Sequence, residues 1–337
     1  MKKIIIPAII IILGGLSLTW YFANSNANDS VESEVLEPLP QVVTTIFPIY
    51  DVARDLVGDS AEVSLLLTPG VDSHSFEPSP SDIVAINNAD LFIYAGEEME
   101  PWVARLLDDL STEVTVVDAS SGITLIEGAH DDHHDDDHDD YDHHDDDHAD
   151  DEDHDDDHEH GDLDPHFWLD FDNTQVMVTT IRVGLEGISA LDSQLLIQNE
   201  ASYISRLEDL DAQYQQTLSS CQSDTIVHGG HFTFGYMVEK YGLVYQSAQG
   251  INPDSEPTAQ NIANLIELVR ESNVQAVYSE EILDSRVANI IAEETDVPVL
   301  RLNGAHNITK EDFEQGVTFF DLMEENLDNL AIGLACN

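Results

Sequence analysis

Fifteen histidines occur in this chain of 337 residues, and ten of them fall in one acidic stretch, His130 to His160. The other five are His74, His166, His228, His231 and His306, and all but His228 sit in short motifs suited to one metal site. Imidazole nitrogen suits zinc, copper, iron and nickel, so the chemistry indicated is transition-metal handling. His74 lies in Pro69-Gly-Val-Asp-Ser-His-Ser-Phe-Glu-Pro-Ser-Pro80 and His166 in Asp164-Pro-His-Phe-Trp-Leu-Asp170. His231 lies in His228-Gly-Gly-His-Phe-Thr-Phe-Gly-Tyr236 and His306 in Leu302-Asn-Gly-Ala-His-Asn307. A single histidine in a loop is more often a cap or a surface residue than a ligand. Four at equivalent places in two half-chains are a different matter, because chance would scatter them. His228 falls within or at the end of a predicted strand and reads as a packed residue rather than a fifth ligand.

The elements that must position these groups follow from periodicity. Short β-branched or apolar runs predict strands at Val42–Phe47, Glu62–Leu67, Leu91–Tyr94 and Val114–Val117. Helical spacing falls between them, over Ile49–Leu56, Ser81–Asn88 and Glu100–Leu110. The second half repeats the rhythm, with strands at Thr225–His228, Leu243–Gln246, Ala276–Ser279 and Val297–Leu302. Its helical segments are Phe232–Lys240, Thr258–Glu271 and Ser285–Glu294. Between the halves, Asn173 or Thr174 caps a helix with apolar residues at Val176, Met177, Ile181, Val183 and Leu185. A second helix runs from about Ser193 to Ser219 through Leu195, Ile197, Ile204, Leu207, Leu210 and Tyr214, long enough to span about 40 Å.

The expectation is an α/β fold of two lobes, each a mostly parallel four-stranded sheet flanked by helices, joined by a long rigid helix. The N-terminal lobe covers 42–190, the spine helix 191–220 and the C-terminal lobe 221–337. Each of the four histidines then follows the carboxyl end of a strand, where open α/β sheets bind ligands. Two per lobe place a metal in the interlobe cleft.

The formal charge is −57, and removing the nineteen carboxylates of His130–His160 still leaves about −38. Such a field repels nucleic acid and anionic lipid and attracts cations. Lys2 and Lys3 precede an apolar run, Ile4 to Leu18, and Ser25-Asn26-Ala27 offers small residues for cleavage. Residues 1–27 therefore read as an export signal or a retained membrane anchor, 28–41 as a linker, and the location as extracytoplasmic. An even cysteine count in an exported chain favours a bridge between Cys221 and Cys336. Two unpaired thiols are the alternative, which spacing leaves open.

The segments around His74, His166 and His231, with the long helix, resemble the zinc and manganese solute-binding proteins of bacterial ABC transporters (cluster A-I, zinc-uptake type) over roughly Val42 to Leu330. The matching motifs are Pro-Gly-x-Asp-x-His-x-Phe-Glu-Pro-Ser, Asp-Pro-His-x-Trp-Leu-Asp and His-x-x-Phe-Gly-Tyr. Tyr241-Gly-Leu243, Pro253-Asp-Ser-Glu-Pro-Thr258 and Ser279-Glu-Glu281 agree as well. The resemblance implies two lobes on a rigid helix and assigns ligand roles to His74, His166 and His231. Where that family commonly has a carboxylate or water, this chain has His306. A four-imidazole shell is neutral and compatible with tetrahedral zinc, and less suited to oxygen-preferring manganese. Metal-bound imidazoles usually donate their other N–H to a carboxylate, for which Glu77, Asp170 and Glu281 are the candidates.

The acidic stretch has almost no apolar residue, so the sequence predicts that it stays disordered. Its histidines, His130, His133, His134, His138, His143, His144, His148, His154, His158 and His160, read as a low-affinity zinc reservoir or sensor. The function expected is capture of Zn(II) by a monomer and delivery to an ABC-type permease. The rivals are a zinc hydrolase with three histidines and an open water position, or a surface zinc buffer or adhesin without a permease. No His-Glu-x-x-His pair supports the hydrolase.

Overall fold

Among the described residues the strands form two four-stranded sheets, both wholly parallel and repeating the same strand order. The first contains β1 (Gln41–Thr44), β2 (Glu62–Leu65), β3 (Leu91–Tyr94) and β4 (Thr115–Asp118), in the order β2-β1-β3-β4. The second contains β5 (Thr225–His228), β6 (Val244–Ser247), β7 (Val277–Ser279) and β8 (Val299–Arg301), in the order β6-β5-β7-β8. This computed structural model describes residues 38–128, 163–251, 256–272, 274–282 and 285–337. The signal or anchor at 1–27, most of the 28–41 linker and the ten histidines of the acidic stretch lie outside the described residues. Among those described, no helix is long and apolar enough to cross a membrane.

The central strands are apolar on both faces because helices cover both, as parallel sheets require. On β3, Leu91 and Ile93 enter the large inner core, while Phe92 and Tyr94 join a second cluster with Ile86, Trp102 and Val103. On β5, Ile226 faces the inner core and Val227 an outer cluster with Leu265 and Ile291. That inner core draws on both sheets without a break, from Val42 and Leu91 to Ile226 and Tyr278.

Helix α1 (Phe47–Val57) begins earlier than its apolar spacing indicated, with Pro48 in the first turn, where its missing N–H is tolerated. Helices α2 (Pro80–Asn87) and α3 (Trp102–Leu107) complete the first lobe's crossovers. Helix α4 runs over Phe171–Glu186, and its cap is Asp170, which accepts from Asp172 N, rather than Asn173 or Thr174.

Helix α5 (Ser193–Leu218) is 26 residues long, or about 39 Å. Its buried stripe is Leu196, Tyr203, Leu207, Leu210, Tyr214 and Leu218, so Leu195 and Ile197 face outward instead. It touches both halves. Asn199 Nδ2 donates to Leu56 O in α1, and Tyr214 OH donates to Met323 O near the C-terminus.

Helices α6 (Gly235–Tyr241), α7 (Ala259–Glu271) and α8 (Arg286–Thr295) cover the second sheet. Helices α9 (Lys310–Gln315) and α10 (Phe319–Gly333) were not assigned from the sequence. Helix α10 starts against the first lobe, where Phe319 N donates to Asp51 Oδ2, and ends beside β7. Cys221 and Cys336 form a disulfide that holds this terminus to the entry of the second lobe.

Candidate metal centre

Each lobe presents two of the predicted histidines at the carboxyl ends of its strands. His74 lies in the loop after β2, in a turn where Asp72 accepts from the backbone N–H groups of His74 and Ser75. His166 follows a segment that pairs with the stretch after β4, where Leu163 bridges Glu127 and Asp164 N donates to Ile126 O. His231 comes three residues after β5 ends, beyond Gly229 and Gly230. His306 follows β8, and the chain turns it inward at Ala305, whose φ of 57° is uncommon for a residue with a side chain. Asn303 Oδ1 holds that turn by accepting from Ala305 N.

The four rings converge. Centroids of His74, His166 and His231 are 5.0 to 5.3 Å apart, and His306 stands 5.6 to 5.8 Å from each. The Nε2 atoms of His166 and His74 are 3.3 Å apart, and those of His231 and His166 are 3.4 Å apart. A tetrahedral ion with bonds of about 2.05 Å to nitrogen requires ligand atoms about 3.35 Å from one another. Among the described residues, His74, His166 and His231 form a ligand group all within 4.8 Å, and His306 is not a member of it.

Two carboxylates decide which nitrogen faces inward. Asp164 Oδ1 accepts from both Nδ1 (2.7 Å) and the backbone N (2.9 Å) of His166. Glu280 Oε1 does the same for His231, at 2.7 Å and 2.6 Å. A carboxylate oxygen only accepts, so each Nδ1 carries the proton and each Nε2 keeps its lone pair toward the centre. Lone pairs facing one another at 3.3 to 3.4 Å suit a shared cation. Thr233 Oγ1, 2.9 Å from His231 Nε2, contacts the same lone pair. Gly230 makes this possible, since a Cβ there would come within 1.9 Å of Glu280 Oε1.

The carboxylates expected from sequence lie elsewhere. Glu77 is exposed. Asp170 caps α4 and receives Lys240 Nζ at 2.9 Å. Glu281 Oε2 accepts from Gly304 N, and burial pushes its carboxyl up to about 8. The missed partners had signals: Asp164 stands two residues before His166, and Glu280 is the neighbour of the residue chosen. His228 is buried, as expected of a packed residue, with Nδ1 2.9 Å from Tyr245 OH.

Burial and mutual repulsion keep most of the imidazoles neutral. Burial pushes His74 down to about 2 and His306 to about 3, and takes His166 well below its usual value. Burial also opposes charge on His231, but Glu280 beside it wins and its pKa is raised. Burial would raise Glu280, yet the charge and hydrogen bond of His231 bring it to about 2. Burial lifts Asp164 to about 7. The arrangement is a cluster of inward-facing imidazoles with a carboxylate behind one ring in each lobe, fitted to a small dication.

Hydrogen bonds beside the centre brace it across the lobes. Trp168 Nε1 donates to Gly304 O at 2.8 Å, and Asn307 Nδ2 donates to Thr68 O at 3.1 Å.

The chain is 36% identical over 290 residues to the high-affinity zinc uptake system protein ZnuA of Bacillus subtilis, covering 86% of each. It is 33% identical over 293 residues to zinc-binding protein AdcA of Streptococcus pyogenes, covering 87% of this chain and 55% of that protein. It therefore spans about half the length of the streptococcal relative. The Zn(II)-bound ZnuA-like domain of Streptococcus pneumoniae AdcA superimposes with a TM-score of 0.70 at 30% identity, over 88% of this chain and 99% of that domain. The family model described as ZnuA, zinc-uptake complex component A periplasmic, matches residues 42–333, and the chain belongs to that family.

Proposed function

We propose that the chain captures Zn(II) outside the cytoplasm through His74, His166, His231 and His306 and delivers it to an ABC-type membrane permease. The observation that carries the reading is the spacing of the Nε2 atoms at 3.3 and 3.4 Å with both Nδ1 protons committed to carboxylates. Imidazoles spaced at the tetrahedral edge, with lone pairs turned inward, are organised for zinc before it arrives. The extracytoplasmic and permease-coupled parts of the reading draw support from the family description, the export-like N-terminus and the names of the relatives.

His306 favours capture over hydrolysis. A catalytic zinc keeps one position open to water. Here a buried fourth imidazole stands 5.6 to 5.8 Å from the other three rings. Competitive zinc titration of the full chain tests the reading, against a chelator strong enough to strip weak sites. One tight site that His166→Ala abolishes is the expected result. Tight binding that survives the substitution contradicts it.

A further inference from the structure

Helix α6 begins four residues after His231, and it grips the first-lobe segment that carries His166 at three points. At its first residue, Gly235, a Cβ would come within 2.5 Å of Asp164 Oδ2, so only glycine allows the helix this close. Tyr236 OH donates to Asp164 O at 2.8 Å and accepts from Ile126 N at 3.1 Å. Four residues on, along the same face, Lys240 Nζ lies 2.9 Å from Asp170 Oδ1 and 2.6 Å from Asp172 Oδ2. The residue gripped most closely, Asp164, is the one whose Oδ1 holds both the ring and the backbone of His166. His231 and His166 belong to different lobes, yet a short, buried chain of contacts joins them.

We propose that α6 is a clamp that fixes the His166–His231 edge at zinc length, making Gly235 and Tyr236 positioning residues for metal-size selectivity. The proposal rests on the zinc-site reading above. The edge of a ligand tetrahedron scales with the metal–nitrogen distance, at about 3.35 Å for zinc. A larger ion of the same charge that also accepts imidazole, such as Cd(II), needs a longer edge. A close-packed junction resists lengthening, because the surrounding atoms have no free volume to yield. The clamp therefore penalises the larger ion, and loosening it removes the penalty while spoiling the fit for zinc.

Two perturbations test this in the full chain. Gly235→Ala drives a methyl group at Asp164 Oδ2, and Tyr236→Phe removes a single oxygen and its bonds to Asp164 and Ile126. Zn(II) and Cd(II) affinities are measured by chelator competition, with the Co(II) ligand-field spectrum as a readout of geometry. In both variants zinc affinity is expected to fall about tenfold. Cadmium affinity falls less, so the zinc-to-cadmium ratio narrows and the Co(II) bands shift. A merely structural role lowers the unfolding temperature and weakens both metals equally. An equal fall, a larger fall for cadmium, or no change overturns the clamp. Zinc binding that survives His166→Ala overturns the site itself and the clamp with it. An intact site with an unchanged ratio overturns the clamp alone.

Discussion

Replacing Glu280 with glutamine separates its charge from its shape. Glu280 Oε1 receives the backbone N–H of His231 at 2.6 Å and Nδ1–H at 2.7 Å. Glutamine keeps an acceptor in place but loses the negative charge. A charge-assisted hydrogen bond is roughly twice as strong as a neutral one, a difference of about 1–2 kcal/mol. Zinc affinity at alkaline pH should therefore fall about tenfold, within the range seen for partners of metal-bound imidazoles.

The pH dependence should change in the opposite sense. In the native site Glu280 raises the pKa of His231 against the effect of burial. A proton on His231 competes with zinc, so affinity falls up to tenfold per pH unit below that raised pKa. Without Glu280, burial wins and the imidazole stays neutral over the same range, so the curve flattens. Native and variant curves, separated at alkaline pH, should converge as the pH falls below the raised pKa of His231. The assay is competitive zinc titration across that range in one buffer series. Parallel curves, or equal affinities at alkaline pH, would refute the reasoning.

Other outcomes follow from single contacts. His306→Ala should weaken zinc about 100-fold, a quarter of the ~10–16 kcal/mol typical of a four-ligand site, and admit water as seen in the Co(II) spectrum. Tyr214→Phe removes the buried bond from α5 to Met323 O and should lower stability by about 1 kcal/mol in denaturant titration without changing zinc affinity. Cys336→Ser opens a loop closed across a sequence separation of 115 residues and should cost up to about 5 kcal/mol of unfolding free energy.

Much of this molecule was legible in the sequence. The β-branched runs located all eight strands, because parallel strands covered on both faces leave continuous apolar signatures, although β1 ends at Thr44, three residues before the expected Phe47, which instead starts α1. The four clustered histidines were readable because each follows a strand's carboxyl end, and the topology brings those ends together. The carboxylates behind them were harder. Glu280 and Glu281 are neighbours, and no periodicity in a loop says which of two adjacent side chains meets the ring. Asp170 looked like a site residue from its motif, but α4 begins one residue later and takes it as a cap. The buried face of α5 was also misread, because apolar residues at 195, 196 and 197 give no phase until tertiary packing selects Leu196. The surroundings of each ring, rather than the ordinary imidazole value, set its protonation, and sequence does not show them. Burial takes three far below that value, and one carboxylate lifts the fourth above it.

Four imidazoles, two from each lobe, are proposed to hold one zinc ion. Zinc K-edge absorption of the full chain, loaded with one equivalent and washed with chelator, tests it most directly. Four nitrogen neighbours at about 2.0–2.1 Å with imidazole scattering are expected, one of them lost in His306→Ala. A shell dominated by oxygen, or one unchanged by that substitution, would contradict it.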